Sequence, residues 1–295
     1  MTTAQVFAEN RALLFTVAYE ILGSAADAED VVQDSYLRWQ DVDPTTVEHP
    51  RAYLVQVVTR LALNHLRGAQ RRREDYIGNW LPEPVSTAPD AADDAVLAES
   101  VSIAMLLVLE TLKPHERAVF VLDEVFGYSH REIAEMVGKS AGAVRQIAHR
   151  ARNHVHARRP RFVPDPETSS AIVVQFLHAA ATGDVRQLMS LMAPGVVEIT
   201  DGGGKVTAAR IPVVGAERVA TYVIGLARKS MAGFGVSLTT CNALPAVLFT
   251  NDGRVDSVLV FDIDGGLIRS LYAVRNPDKL GHITNVKTLT RTGAP

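Results

Sequence analysis

The side chains best placed for chemistry in this sequence are basic, and they fall in two stretches. From Lys139 to Arg159 there are six Lys/Arg and no Asp or Glu, and from Arg60 to Arg73 there are five Arg and no acid. Patches of this kind bind phosphates, and Arg145 and Gln146 are suited to hydrogen-bonding base edges. Catalytic patterns are missing by comparison. There is no P-loop, HExxH or GxSxG. Asp201-Gly202-Gly203-Gly204-Lys205 is not a Walker A loop, because Val206 follows the lysine and Ile199 stands where a glycine is required. Asp201, Asp262 and His178 are the acid/base candidates, and no spacing brings them together. His154 and His156, two apart on a helix, point to different faces and suit no metal. No catalytic residue, cofactor or metal is therefore assigned.

The basic residues of the second stretch need a scaffold, and residues 130–159 supply one. Ile133, Ala134 and Val137 form the apolar face of one short helix, and Val144, Ile147, Ala148 and Ala151 that of the next. Gly138 ends the first and Ser140 caps the second. A helix-turn-helix of this form places its second helix in the major groove. Its outward residues are Ala143, Arg145, Gln146, His149 and Arg150, so DNA binding is favoured over a plain helical hairpin with a solvated basic face.

Upstream, residues 4–22 read as an amphipathic helix ended by Gly23, and Ser24 caps the next. On that second helix Asp27, Asp30, Gln33 and Asp34 recur at spacings of three and four and share a face. A third helix over 50–70 carries Arg60, Asn64 and Arg67 as a stripe, which Arg71, Arg72 and Arg73 extend. Residues 74–94 are rich in Pro, small residues and acids, as a linker is. Trp80 and Leu81 within it form an apolar pair suited to docking in a groove. Two helices are expected over about 95–125, the second starting after Lys113-Pro114.

Beyond residue 160, helices are expected over 169–182, 185–192 and 216–229. Strands are expected at 196–200, 206–212, 236–241, 246–250, 255–262 and 267–274. Asp201–Lys205, Asn251–Gly253 and Asp264–Gly266 would supply hairpin turns. Helices followed by an antiparallel meander imply an α+β cone.

The balance of charge is −5 over residues 1–160 and +2 over 161–295. Local patches govern phosphate binding, because screening acts within roughly 10 Å. Asp27–Glu48 carries seven acids against one Arg, apart from the basic stripe. The single cysteine, Cys241, excludes an internal disulfide. No apolar run approaches the ~20 residues of a membrane span, and no signal peptide is evident, so a soluble cytoplasmic protein is expected.

An acidic-faced helix, a basic helix, a linker and FGYSHREIAEMVGKSAGAVRQIAHRAR, in that order, resemble a group 4, or extracytoplasmic-function (ECF), sigma factor. The likeness covers about the first 160 residues. It implies region 2 over 1–73, a linker over 74–98, region 4 over 99–160 and a further domain over 161–295. That last domain is similar to SnoaL-like (NTF2-like) cones. The WLPEP motif (Trp80, Leu81, Pro82 to Pro84), DGGGK (Asp201, Gly202, Gly203, Gly204, Lys205) and NPDKL (Asn276, Pro277, Asp278, Lys279, Leu280) resemble the ECF41, or SigJ-like, group. The overall fold expected is thus multidomain, with two all-α sigma domains and an α+β cone. The resemblance implies that Asp27, Asp30, Gln33 and Asp34 bind core RNA polymerase. Arg60, Asn64, Arg67, Arg71 and Arg72 would meet the −10 element of promoter DNA. Arg145, Gln146 and Arg150, with Lys139, Ser140 and Ala143, would meet the −35 element. It also implies that the C-terminal domain regulates the chain through the three motifs, with no separate anti-sigma protein and no membrane. No ligand is supported by sequence. The alternative is a free-standing helix-turn-helix regulator with a ligand-sensing cone.

Overall fold

The computed structural model describes residues 2–88, 94–158, 166–230 and 233–292, with the backbone alone at 69–74, 166–167 and 230. The chain forms two compact units: residues 1–75, 104–160 and 287–295 make the first, and 76–103 with 161–286 the second. The stretch expected as a linker is therefore part of the same unit as the cone, starting at Tyr76 and running through a short helix.

In the first unit, α1 (Thr3–Leu22), α2 (Ala25–Gln40) and α3 (Pro50–Glu74) pack on one another. The caps read from sequence are in place. Gly23 closes α1 at φ 68°, and Ser24 accepts from the Asp27 amide to open α2. Trp39 is fully buried and donates Nε1–H to the Thr3 carbonyl at 2.9 Å. Here α1 presents an unbroken buried run from Leu13 to Leu22, so it is a core helix with neighbours on most sides.

The helices α5 (Ile103–Glu110), α6 (Pro114–Phe120), α7 (His130–Val137) and α8 (Ala141–His156) follow, with a π turn at Val121–Val125 after α6. Arg117 is buried and donates to the Glu20 carbonyl at 2.9 Å and to Glu110. Loss of hydration lowers its pKa to about 9. The chain's last described residues return to this unit, where Lys287 pairs with Glu29 and the Thr290 amide donates to Thr16 at 3.0 Å.

The second unit holds α4 (Ala95–Val101), α9 (Pro166–Thr182), α10 (Val185–Leu191), α11 (Ala216–Ser230) and a six-stranded sheet. Its strands are β1 (Met192–Asp201), β2 (Val213–Val214), β3 (Gly235–Cys241), β4 (Leu244–Asn251), β5 (Arg254–Asp264) and β6 (Leu267–Val274), in the order β2-β1-β6-β5-β4-β3. Phe176 and Ile224 from the helices meet Val196, Val247, Phe261 and Leu271 from the sheet in one core. The Phe176 and Phe261 rings meet edge to face at 5.2 Å.

Two expectations are corrected. Residues 206–212 are not a strand, and DGGGK is not a tight hairpin turn but the start of the long loop that leads from β1 to β2. Instead β1 runs parallel to β6, with Asp201 opposite Val274, and its antiparallel neighbour is the two-residue β2. A parallel pair needs a long crossover. The chain between β1 and β6 provides it, which frees residues 202–212 to form a loop with its own contacts.

Candidate functional site

The helix-turn-helix is built as the sequence requires. Gly138 takes φ 66°, ψ 44° after α7, and the Ser140 hydroxyl accepts from the Ala143 amide at 3.2 Å. Val144, Ile147, Ala148, Ala151 and Val155 are buried, so the opposite face of α8 is turned outward. Lys139, Ser140, Arg145, Gln146, His149 and Arg150 are exposed and Ala143 is half-buried. Arg152, one residue off that face, is anchored by Asp123 at 3.0 Å and Glu124 at 2.6 Å, which ties α8 to the turn after α6. Arg150 makes a looser pairing with Glu116, at 3.8 Å.

On α2, Asp30, Gln33 and Asp34 are exposed and Asp27 is half-buried beside its Ser24 cap. Glu29 is drawn away from this face by Arg11 at 2.6 Å and by Lys287.

The stripe on α3 is engaged within its own unit. Arg60 donates to the carbonyls of Glu135 at 2.8 Å and Met136 at 3.2 Å, and Gln56 donates to Glu135 at 3.0 Å. These are among the last carbonyls of α7, which have no partner inside the helix and carry the negative end of its dipole. A guanidinium satisfies both demands at once. Arg67 lies 3.4 Å from the His115 ring, whose pKa is lowered by desolvation and by the nearby Lys139 and Arg67. Asn64 is exposed. Arg71 and Arg72 continue α3, and their side chains lie outside the described residues.

In the second unit the three short motifs meet at Asp201. Its carboxylate is fully buried and accepts four hydrogen bonds. Tyr76 Oη and the Gly203 amide donate to Oδ1 at 2.5 and 3.0 Å, while the Leu81 amide and Lys279 Nζ donate to Oδ2 at 2.9 and 2.7 Å. Lys279 also donates to the Leu81 carbonyl at 2.5 Å and lies over the rings of Trp80 at 4.5 Å and Tyr76 at 4.8 Å. A buried ammonium is tolerated here because a carboxylate, a carbonyl and two π-faces replace its water. Asn276 donates to Tyr76 Oη at 2.8 Å and caps the turn at Pro277 by accepting from the Asp278 amide. Lys205, at the exposed tip, pairs with Asp278 at 2.5 Å.

The glycines of the loop have a steric role. Gly203 sits at φ 60°, and a Cβ there would fall on the Asn276 amide. Gly204, at φ 70°, packs on Ile77. Gly202 faces the Val206 carbonyl and Ala208. Leu81 is buried, Trp80 and Pro82 flank it, and the strap continues to Ser86, which pairs with Cys241.

Tyr76 and Asn79 belong to this network, Asn242 holds residues 85 and 101 beyond it, and all three escape the sequence reading. Asn79 donates to the Thr200 and Ala209 carbonyls at 3.3 and 3.0 Å. Asn242 is buried at φ 55° in the β3–β4 turn, accepts from the Val85 amide and donates to the Val101 carbonyl at 2.7 Å. An Asn between two strands is a legible turn signal; its hold on residues 85 and 101 is not. Asp262 lies across from Ser270, four residues along β6 from the partner of Asp201, and His178 is exposed on α9. At roughly 3.3 Å per residue, the two aspartates stand about 13 Å apart along the strands, so no acid–base pair forms. Among the described residues, no group of three or more His, Cys, Asp or Glu could hold a metal, and no helix is long and apolar enough to cross a membrane.

Two family models match the chain: Sigma-70 region 2 over residues 6–72 and Sigma-70, region 4 over residues 102–155. Two sigma regions in this order define the class of protein. The ECF RNA polymerase sigma factor SigJ of Mycobacterium tuberculosis is 39% identical over 282 residues, which cover 90% of this chain and 89% of that one. The probable ECF RNA polymerase sigma factor SigI of the same species is 32% identical over 275 residues, with 92% of each chain covered. The crystal structure of SigJ matches with a TM-score of 0.76 and 33% identity, covering 96% of this chain and 99% of that one. The chain belongs to the ECF RNA polymerase sigma factors.

Proposed function

We propose that this sigma factor is held closed by its own structure, with region 2 and region 4 occupying each other until core polymerase and promoter DNA separate them. One observation carries the reading: Arg60, on the stripe proposed for the −10 element, caps the C-terminus of α7 through the Glu135 and Met136 carbonyls. One guanidinium cannot serve that helix end and a promoter together.

In the open state, Asp27, Asp30, Gln33 and Asp34 dock on core polymerase. Arg60, Asn64, Arg67, Arg71 and Arg72 meet the −10 element. Arg145, Gln146 and Arg150 read the −35 element from the major groove, positioned by Lys139 and Ser140, with Ala143 beside them. Sigma factors are initiation factors and not enzymes, and the chain acts in the cytoplasm on this reading. The node around Asp201 is the fixed point of the C-terminal domain, which takes the part of a separate anti-sigma protein. The exposed acidic face on α2 favours this account over a regulator that binds duplex DNA alone, for which that face has no use.

The test is a closed-state crosslink. Cysteines replace Gln56 and Glu135 in a Cys241→Ser background and are joined by a short thiol crosslinker. The crosslinked chain should fail to support promoter opening by core polymerase, while the same variant left unlinked initiates. Equal initiation by both forms rejects the closed state.

A further inference from the structure

We propose that the cone of the second unit binds a small, neutral, largely apolar molecule that presents a carbonyl oxygen to Glu198. The site is a cleft between α9, α11 and the sheet with a cavity volume of about 130 Å³. Phe176, Leu177, Val223, Phe249 and Leu259 give it apolar walls. An apolar lining with a few polar groups at one end is that of a site for a small molecule.

Its inner end is polar in an unusual way. Along β1 the residues facing the core alternate as Val196, Glu198 and Thr200, so two polar side chains stand where the pattern calls for apolar ones. Glu198 is 3% exposed and Thr200 is 2% exposed. Among the described residues, Glu198 Oε2 and Thr200 Oγ1 are both buried without a hydrogen-bond partner. Orphaned buried polar atoms cost stability and persist where something else satisfies them. A carboxyl desolvated this far holds its proton, with its pKa raised to about 8, and so offers an O–H donor. The Thr200 hydroxyl adds a second donor beside it. Two neutral donors at the end of an apolar slot select a carbonyl oxygen over a cation or an anion. The charged pair at the cleft among the described residues, Arg275 with Asp256 at 3.3 Å, is already internally matched.

The cleft also adjoins the three-motif node. Thr200 precedes Asp201, and its carbonyl accepts from Asn79, while Arg275 precedes Asn276. Occupancy at Glu198 and Thr200 therefore bears on the two strand ends that carry the node.

The probe is 6-propionyl-2-dimethylaminonaphthalene, a flat neutral ketone whose emission reports its surroundings, titrated into the full-length protein. Saturable one-to-one binding is expected, weakened about tenfold by Glu198→Val and abolished by Ala273→Trp, which fills the cleft. Competition on the unaltered protein guards against misfolded variants: 2-acetylnaphthalene should displace the probe at least about tenfold better than naphthalene. Absence of saturable binding to the unaltered protein overturns the proposal, as does equal displacement by the two competitors.

Discussion

Replacing Asp201 by Asn tests how the second unit holds its motifs. The side chain keeps its shape and loses its charge. Lys279, whose side chain is 8% exposed, then loses the carboxylate it meets at 2.7 Å. Removing one partner of a buried pair typically costs about 3–5 kcal/mol. The Asn amide retains an acceptor for one donor set, so about 3 kcal/mol is expected for Asp201→Asn. Lys279→Met leaves the carboxylate with Tyr76, Leu81 and Gly203 as donors and should cost less, about 1–2 kcal/mol. In the double variant the ammonium and the carboxylate are both gone, so its loss should fall short of the sum by about 2 kcal/mol. The two tryptophans, Trp39 and Trp80, lie one in each unit, so urea unfolding of 5-fluorotryptophan-labelled protein reads each unit separately by fluorine NMR. The Trp80 transition should move and the Trp39 transition should not. A loss below about 1 kcal/mol for Asp201→Asn, or strict additivity in the double variant, would refute a desolvated ion pair as the centre of the node.

Three further outcomes are expected. Glu198 has a pKa of about 8 in the folded chain against 4.5 for the free side chain, so the folded state binds the extra proton and stability falls as pH rises through that interval. Asp262 is also raised, to about 6 by burial, so the window from about pH 7 to 8 separates Glu198 from it. There the slope should be about 1 kcal/mol per pH unit, and Glu198→Gln should flatten the Trp80 transition against pH; parallel curves for the two proteins would count against it. Gly203→Ala forces a Cβ onto Asn276 at a positive φ, which should cost about 1–3 kcal/mol in the same transition, whereas Gly253→Ala has open space and pays only the backbone strain. Arg145→Ala should reduce discrimination at one −35 position by about 1–3 kcal/mol in competition binding by the polymerase holoenzyme; a uniform loss across all sequences would mean a phosphate contact instead.

What the sequence determined by itself is local. Gly23, Ser24, Gly138 and Ser140 fix where helices stop and start, because a left-handed residue or a hydroxyl cap acts within three or four residues. The periodicity of Val144, Ile147, Ala148 and Ala151 likewise decides which face of α8 is outward. The three motifs were visible as motifs, and their resemblance to a sigma-factor group was legible from their order. Their meeting was not. Tyr76, Leu81, Asp201 and Lys279 are separated by up to about 200 residues, and no propensity or spacing rule reaches that far. The parallel pairing of β1 with β6 sets Asp201 beside the turn at Asn276, and that pairing follows from which strands share a core with α9 and α11. The same packing turns Glu198 inward, where the alternation of β1 alone permits either face. Arg60 read from sequence as one more residue of a basic stripe. Only the packing of α3 against α7 supplies the helix end that it caps, because a carbonyl left over at a helix terminus becomes a partner only when the fold brings a donor to it.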